Sequence, residues 1–298
     1  MGERYLHKPV LPREVMDFLD PAPGKIIIDA TIGGGGHAVE LAERIAPGGT
    51  LIGIDRDSES LKIAHEKLKA SKIHINLVNK NFRHIKEITE NLRLGEVDGI
   101  LFDLGISSIQ METAERGFSI KNAGPLDMRM DRNQKLTAKD LVNSSDEEDL
   151  ALIIRDFGEE RFYRRIARAI VSARDKKEIE TTDELVEVIS RSLPYGRGRQ
   201  RIHPATRAFQ ALRISVNDEL SAVEEALRDA PGILKKGGRL CVISFHSLED
   251  RIAKNTLKDF RARGILKVFT KKPVIASEAE VSENPRARSA KLRAAEKL

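Results

Sequence analysis

One cysteine among 298 residues, Cys241, excludes a disulfide framework and any zinc or iron–sulfur site built from several cysteines. It sits in an apolar run, which predicts a buried, inert thiol rather than a nucleophile. No stretch approaches ~18 consecutive apolar residues, and Met1 to Asp20 lacks the apolar block of a signal peptide. The chain is therefore expected to be neither secreted nor membrane-spanning and to work in the cytoplasm. Internal repeats and low-complexity tracts are also missing. Neither sign of charge dominates: 51 Lys+Arg against 46 Asp+Glu give +5, with 33% charged and 40% hydrophobic residues, a balance that excludes disorder throughout. The length suggests about two domains.

A global +5 is too small to argue for a polyanionic partner. Residues 151–213, however, hold 14 Lys+Arg and 9 Asp+Glu, so the excess belongs to that segment and the remainder is neutral. Arg161, Arg164, Arg165 and Arg168 recur at helical spacing, which predicts one basic face, and Arg191 to Arg213 carries six arginines and no acid. Arginine donates two parallel hydrogen bonds to a phosphate. A solvated helix face is the bland alternative, and a nucleic-acid backbone contact is the favoured reading.

The first hundred residues alternate strand and helix signals. Ile26 to Ile28 is a short buried run ending at Asp29; Gly33 to Gly36 make a turn, and His37 to Ile45 has helical periodicity. Thr50 to Ile54 repeats the strand and ends at Asp55, before a helix over Ser58 to Lys69. A third strand over Ile73 to Val78, a helix over Ile85 to Asn91 and a fourth strand over Val97 to Phe102 ending at Asp103 complete a pattern of parallel, doubly wound sheet. The alternation then breaks. From Gln110 to Arg213 only helical patterns appear, at Ala138 to Val142, Asp146 to Asp156, Glu160 to Ala173 and Thr182 to Ser192. Thereafter a helix is predicted over Ser215 to Leu227, a turn at Gly237-Gly238, a buried strand over Arg239 to Ser244, a helix over Ser247 to Phe260, and two last strands near Ile265 to Thr270 and Ala290 to Ala294. The expected organisation is an α/β domain, residues 1–109 and 214–298, with a helical domain, residues 110–213, inserted into it.

A glycine turn lets backbone approach a ligand closely, and the helix that follows offers free amides and a positive dipole end. Asp29-Ala30-Thr31-Ile32-Gly33-Gly34-Gly35-Gly36-His37 has that context. Asp55, ending the next strand, is placed to accept both hydroxyls of a ribose, or else to cap the following helix. NAD and S-adenosylmethionine both fit. A two-halved dehydrogenase would continue with a second mononucleotide half, and the hundred-residue basic insertion here favours methyl transfer. Phe82 is placed to stack on adenine, or is core; Asp103-Leu104-Gly105 ends the fourth strand at the ligand-binding edge.

Longer strings carry a resemblance. DATIGGGGH (Asp29 to His37), DGILFDLGISSIQ (Asp98 to Gln110), ERGFS (Glu115 to Ser119), GPLDMRMD (Gly124 to Asp131), HPATRAFQALRISVNDEL (His203 to Leu220), ISFHSLEDR (Ile243 to Arg251) and NPRARSAKLRAAE (Asn284 to Glu296) resemble, in order and over nearly the whole chain, the bacterial 16S ribosomal RNA (cytosine-N4) methyltransferase family, also called MraW. The stretch between Phe260 and Asn284 looks shorter than in some relatives. The resemblance implies a class I S-adenosylmethionine-dependent methyltransferase, with a Rossmann-like doubly wound sheet and an inserted helical domain. It would methylate the exocyclic amino group of one cytidine in the decoding region of 16S ribosomal RNA, on the small ribosomal subunit. Cofactor positions carry over onto Gly35, Gly36, His37, Asp55, Phe82, Asp103 and Gln110. A noncatalytic assembly factor retaining the cofactor fold and a DNA amino-methyltransferase are the alternatives.

A cytosine amino group is a poor nucleophile because its lone pair is delocalised into the ring, so a carboxylate that accepts its hydrogen bond and takes its proton would help. Asp103 is the first candidate and His246 the second, each with a structural alternative. The Asp/Asn/Ser-Pro-Pro-aromatic string of many amino-methyltransferases is absent, and Asp103-Leu104-Gly105 stands in its place. Asp127 and Asp131 suggest a metal by their spacing, but methyl transfer to nitrogen needs none and none is expected. Arg164, Arg165, Arg168, His203, Arg207 and Arg213 are the candidate RNA contacts, and a base held in a duplex would have to be flipped out.

Overall fold

The computed structural model describes residues 8–193 and 203–298. The six arginines of residues 191–213 fall partly outside it, as do the first residues of the chain. By internal packing the chain divides into one unit of residues 1–107 and 220–298 and a second of residues 108–219.

The first unit is a seven-stranded sheet covered on both sides. Its elements are helix α1 (Pro12–Leu19), β1 (Ile26–Asp29), α2 (Gly36–Ile45), β2 (Thr50–Asp55), α3 (Ser58–Leu68), β3 (His74–Asn79), α4 (Ile85–Asn91) and β4 (Val97–Asp103). The strand order is β3-β2-β1-β4-β5-β7-β6, where β5 is Leu234–Ser244, β6 Leu266–Val268 and β7 Lys291–Lys297. Strands β1 to β5 are parallel, whereas β7 runs antiparallel to both β5 and β6. The sheet is thus mixed rather than wholly parallel; the period-two pattern that marks a strand is blind to its direction. The architecture is α/β, with helices on both faces of the sheet.

Side chains alternate across each strand, so the short apolar runs feed two cores. Ile28, Ile52, Ile100, Phe102 and Val242 face one side, with α4, α11 (Glu219–Ile233) and α12 (Ser247–Ala262). Ile27, Leu51, Leu101, Cys241 and Ile243 face the other, with α1, α2 and α3. Cys241 is fully buried, and burial pushes its thiol up to about 12, as an inert position requires. Gly237-Gly238 does not separate helix from strand. The register between β4 and β5 jumps from Val97↔Leu234 to Gly99↔Arg239, so the glycines lie in extra residues bulging from one long strand.

The second unit is helical: α5 (Ser108–Glu112), α6 (Ala138–Ser144), α7 (Glu147–Gly158), α8 (Tyr163–Arg174), α9 (Thr182–Ser192) and α10 (Thr206–Asn217). Helix α7 packs on α8 and α10, and α8 on α9. Thr137 and Thr181 each cap their helix through a reciprocal capping box, with Asp140 and Glu184 respectively. The single helix expected over Ser215 to Leu227 is two, because Asp218 adopts a left-handed conformation (φ 47°) that closes α10 before α11 begins. Among the described residues, no helix is long and apolar enough to cross a membrane.

Candidate active site

Parallel strands end on the same edge of a sheet, and here β1, β2 and β4 all end on aspartate: Asp29, Asp55 and Asp103. The turn leaving β1 passes beside them. Gly33 (φ 50°) and Gly35 (φ 81°) hold conformations that a side chain disfavours, and a Cβ on Gly35 would meet the Ala64 Cα at 3.3 Å. Gly35 is also the N-cap of α2, without a side-chain cap, so the first amides of that helix, from Gly36 and His37, are presented at the turn.

The carboxylates of Asp55 and Asp29 and the backbone of Asp103 bind this edge together. The Gly33 N–H donates to Asp55 Oδ2 at 2.9 Å and the Asp57 N–H to Asp55 Oδ1 at 2.8 Å. The capping alternative for Asp55 is corrected: Asp57 caps α3, accepting the Glu59 N–H at 3.1 Å. Asp29 is buried and accepts the Thr31 N–H at 3.2 Å. The Thr31 hydroxyl in turn accepts the Asp103 N–H at 2.6 Å. His37, itself buried, brings Nε2 to 3.6 Å from Asp103 Oδ2. Asp103 Oδ1 is buried and has no hydrogen-bond partner among the described residues.

Crowding acids away from water favours their protonated forms. Burial raises the Asp29 carboxyl to about 7, against its bond from Thr31 and with the negative charge of Asp55 adding to it. Burial also raises Asp55, to about 6, opposed by the Asp57 N–H. Asp103 is raised well above the ordinary carboxylate range, first by burial and then by the charges of Asp29 and Glu249. A carboxyl so placed is suited to taking a proton near neutral pH.

Phe82 opens a 3-10 turn just past β3 and is half-buried, its ring edge-to-face on Phe102 with centroids 5.8 Å apart. It therefore serves the core and keeps part of its surface exposed. His246 caps α12, its side chain accepting the Glu249 N–H, while Glu249 Oε2 accepts the Phe245 N–H at 2.8 Å. Gln110 is buried on α5, in the second unit.

In the second unit, Arg164, Arg165 and Arg168 lie exposed on α8. Arg161 does not share their face; it precedes the helix, with its guanidinium 4.5 Å from the Phe162 ring. Arg168 lies 3.5 Å from Glu147. Exposed Arg207 donates to the Glu159 carbonyl, and His203 Nδ1 accepts the Ala205 N–H. Arg213 is corrected from phosphate contact to structural strut: its fork meets both Glu219 oxygens at 2.8 Å, with the side chain 13% exposed. Asp127 is likewise committed, accepting Arg129 Nε and a terminal nitrogen at 2.8 Å each.

Thr31 and Glu249 were not among the expected site residues. A hydroxyl two places past a strand-ending acid, and an acid three places past His246 in the spacing of a capping box, are signals that point to them.

A family model described as the MraW methylase family matches residues 4–298. The protein named Ribosomal RNA small subunit methyltransferase H of Geotalea uraniireducens (strain Rf4) is 50% identical over 308 residues, covering 98% of each chain. The proteins of the same name from Geotalea daltonii and Brevibacillus brevis are each 48% identical, covering 99% and 98% of both chains respectively.

Proposed function

The chain belongs to the MraW methylase family, and on that premise we propose that it methylates the N4 amino group of one cytidine in the decoding region of 16S ribosomal RNA, on the small ribosomal subunit in the cytoplasm. Its cofactor is S-adenosylmethionine. The names of its relatives support a ribosomal RNA substrate. The observation that carries the chemistry is the buried, unpartnered Oδ1 of Asp103 at the end of β4.

The residues present fit the cofactor. Two left-handed glycines clear the turn after β1, the uncapped start of α2 offers amides to a carboxylate, and Asp103 Oδ1 awaits a donor. In this reading Gly35, Gly36 and His37 would hold the methionine carboxylate through their amides, and Asp55 would accept the ribose hydroxyls. Phe82, its ring only partly covered by Phe102, would pack against the adenine. When bound, S-adenosylmethionine supplies a methyl group on a sulfonium that needs little activation. Asp103 would accept a hydrogen bond from the cytosine amino group, orient its nitrogen and receive its proton as the N–C bond forms and the methyl–sulfur bond breaks, its electron pair leaving with the sulfur as a neutral thioether. His37 lies beside the carboxylate, its Nε2 3.6 Å from the other Asp103 oxygen. The exposed arginines of α8 contact RNA phosphates.

The test is direct. Tritiated S-adenosylmethionine and small subunits from a strain lacking the activity are incubated with the protein, and the recovered 16S RNA is digested to nucleosides. N4-methylcytidine at one position is the expected product; unlabelled RNA would overturn the reading.

A further inference from the structure

Counted in long segments, charge outside residues 151–213 cancels, but a finer count exposes a second cluster. Residues 251–272 contain eight Lys+Arg and one acid, Asp259. They run from α12 through the turn at Gly264 into β6, the last strand of the sheet.

The helix is amphipathic in a particular way. Ala253, Leu257 and Phe260 are buried against the sheet, while Lys254, Lys258 and Arg261, spaced four and three apart, form an exposed stripe. Lys267, Lys271 and Lys272 continue it, exposed, around the sheet edge. Asp259 is engaged by Arg263 at 3.3 Å, and the acids of the first turn are turned elsewhere, Asp250 to Arg293 and Glu249 inward. None of these six cations has an ion-pair partner among the described residues. Lysine on an edge strand also discourages pairing with another chain, but that explains Lys267 alone, since α12 lies over the face of the sheet.

We propose that the exposed stripe of α12, with the lysines around β6, is a phosphate-binding surface for the backbone of the RNA substrate. It rests on the reading of that substrate given above. Strand β6 runs parallel to β5, so Lys271 and Lys272 return toward the edge that carries Asp103, while α12 leads away from it for ~24 Å at 1.5 Å per residue. A surface of that reach suits a long polyanion and has no use for a nucleotide alone. Compact ammonium groups and one guanidinium hold phosphates without reading sequence.

The variant Lys254→Gln/Lys258→Gln/Arg261→Gln is compared with the unchanged protein for binding to 16S ribosomal RNA and to small subunits at 50 to 200 mM salt. If the three side chains each neutralise one phosphate, the loss of affinity across that range shrinks roughly twenty- to fortyfold, while affinity for S-adenosylmethionine is unchanged. An unaltered salt dependence overturns the proposal, and so does a loss that appears equally on phosphatidylcholine–phosphatidylserine vesicles, which would assign the stripe to a lipid surface. Methylation by the unchanged protein separates this from failure of the functional reading: product formed with salt dependence unaltered sinks the surface alone. Single variants Lys258→Gln and Arg261→Gln, each expected to lower the salt slope by about 0.7 to 0.9, keep the test available if the triple variant folds poorly.

Discussion

The Asp103 N–H donates to the Thr31 hydroxyl at 2.6 Å, so the end of β4 is fastened to the turn that leaves β1. Each of the two elements that border the site therefore holds the other. The link also fixes where the Asp103 carboxylate starts from, and Asp29, which accepts the Thr31 N–H, completes the brace.

Removing that hydroxyl is the simplest probe. Thr31→Val keeps the shape and leaves the Asp103 N–H without its acceptor, at a cost of about 1 to 3 kcal/mol in stability. Turnover is expected to fall and Thr31→Ser to restore it. Steady-state kinetics and thermal melts on all three proteins check this; full activity in Thr31→Val would remove the brace from the mechanism.

Asp103→Asn keeps the volume and removes the proton acceptor. Methyl transfer to small subunits is expected to drop by about 10²-fold or more, with the fold retained by circular dichroism. Turnover near that of the unchanged protein would exclude Asp103 as the base.

Stability should depend on pH with a definite sign. Burial raises Asp29 to about 7 and Asp55 to about 6, above the ordinary 3.8. A carboxyl that holds its proton more tightly when folded stabilises the protein at low pH, and this contribution is lost as pH rises through the folded value. Thermal stability without cofactor is expected to decline between about pH 4 and pH 7, by on the order of 4 kcal/mol for Asp29 alone. Asp29→Asn should flatten the decline; a melting profile identical to that of the unchanged protein would contradict the assignment.

Arg213 and the arginines of α8 should part company. Arg213→Ala strands Glu219, 7% exposed, without its partner and is expected to cost about 3 kcal/mol, visible in a denaturant melt.

Arg164→Gln/Arg165→Gln/Arg168→Gln should leave stability nearly unchanged but weaken RNA binding and lower its salt slope by about 2 to 3. Filter binding across a salt series measures it, and an unchanged slope returns that face to solvent.

Much of this was legible in the sequence because it is local. Strand-ending aspartates and the glycine turn both write themselves into a few adjacent residues. What was not legible depends on partners far apart in the chain. Whether Arg213 meets a phosphate or Glu219, and which way β7 runs, are settled by packing, to which periodicity is blind. Asp218 closes a helix because its short side chain tolerates the left-handed region, but nothing in its neighbours distinguishes it from an ordinary surface acid. Arg161 fits helical spacing and still precedes the helix, because Phe162 rather than Arg161 is its N-cap.

The position of β7 between β5 and β6 has a consequence for biosynthesis. Strand β6 is translated before β7 yet borders the sheet only through it, so for the 22 residues between Val268 and Lys291, roughly 1 to 4 s of elongation, β6 has no strand to pair with. Until Lys291–Lys297 emerges, the flank of β5 stands open to any nascent chain nearby. Emergence of β7 is then the step that seals the sheet, and a ribosome stalled before it would carry an aggregation-prone edge.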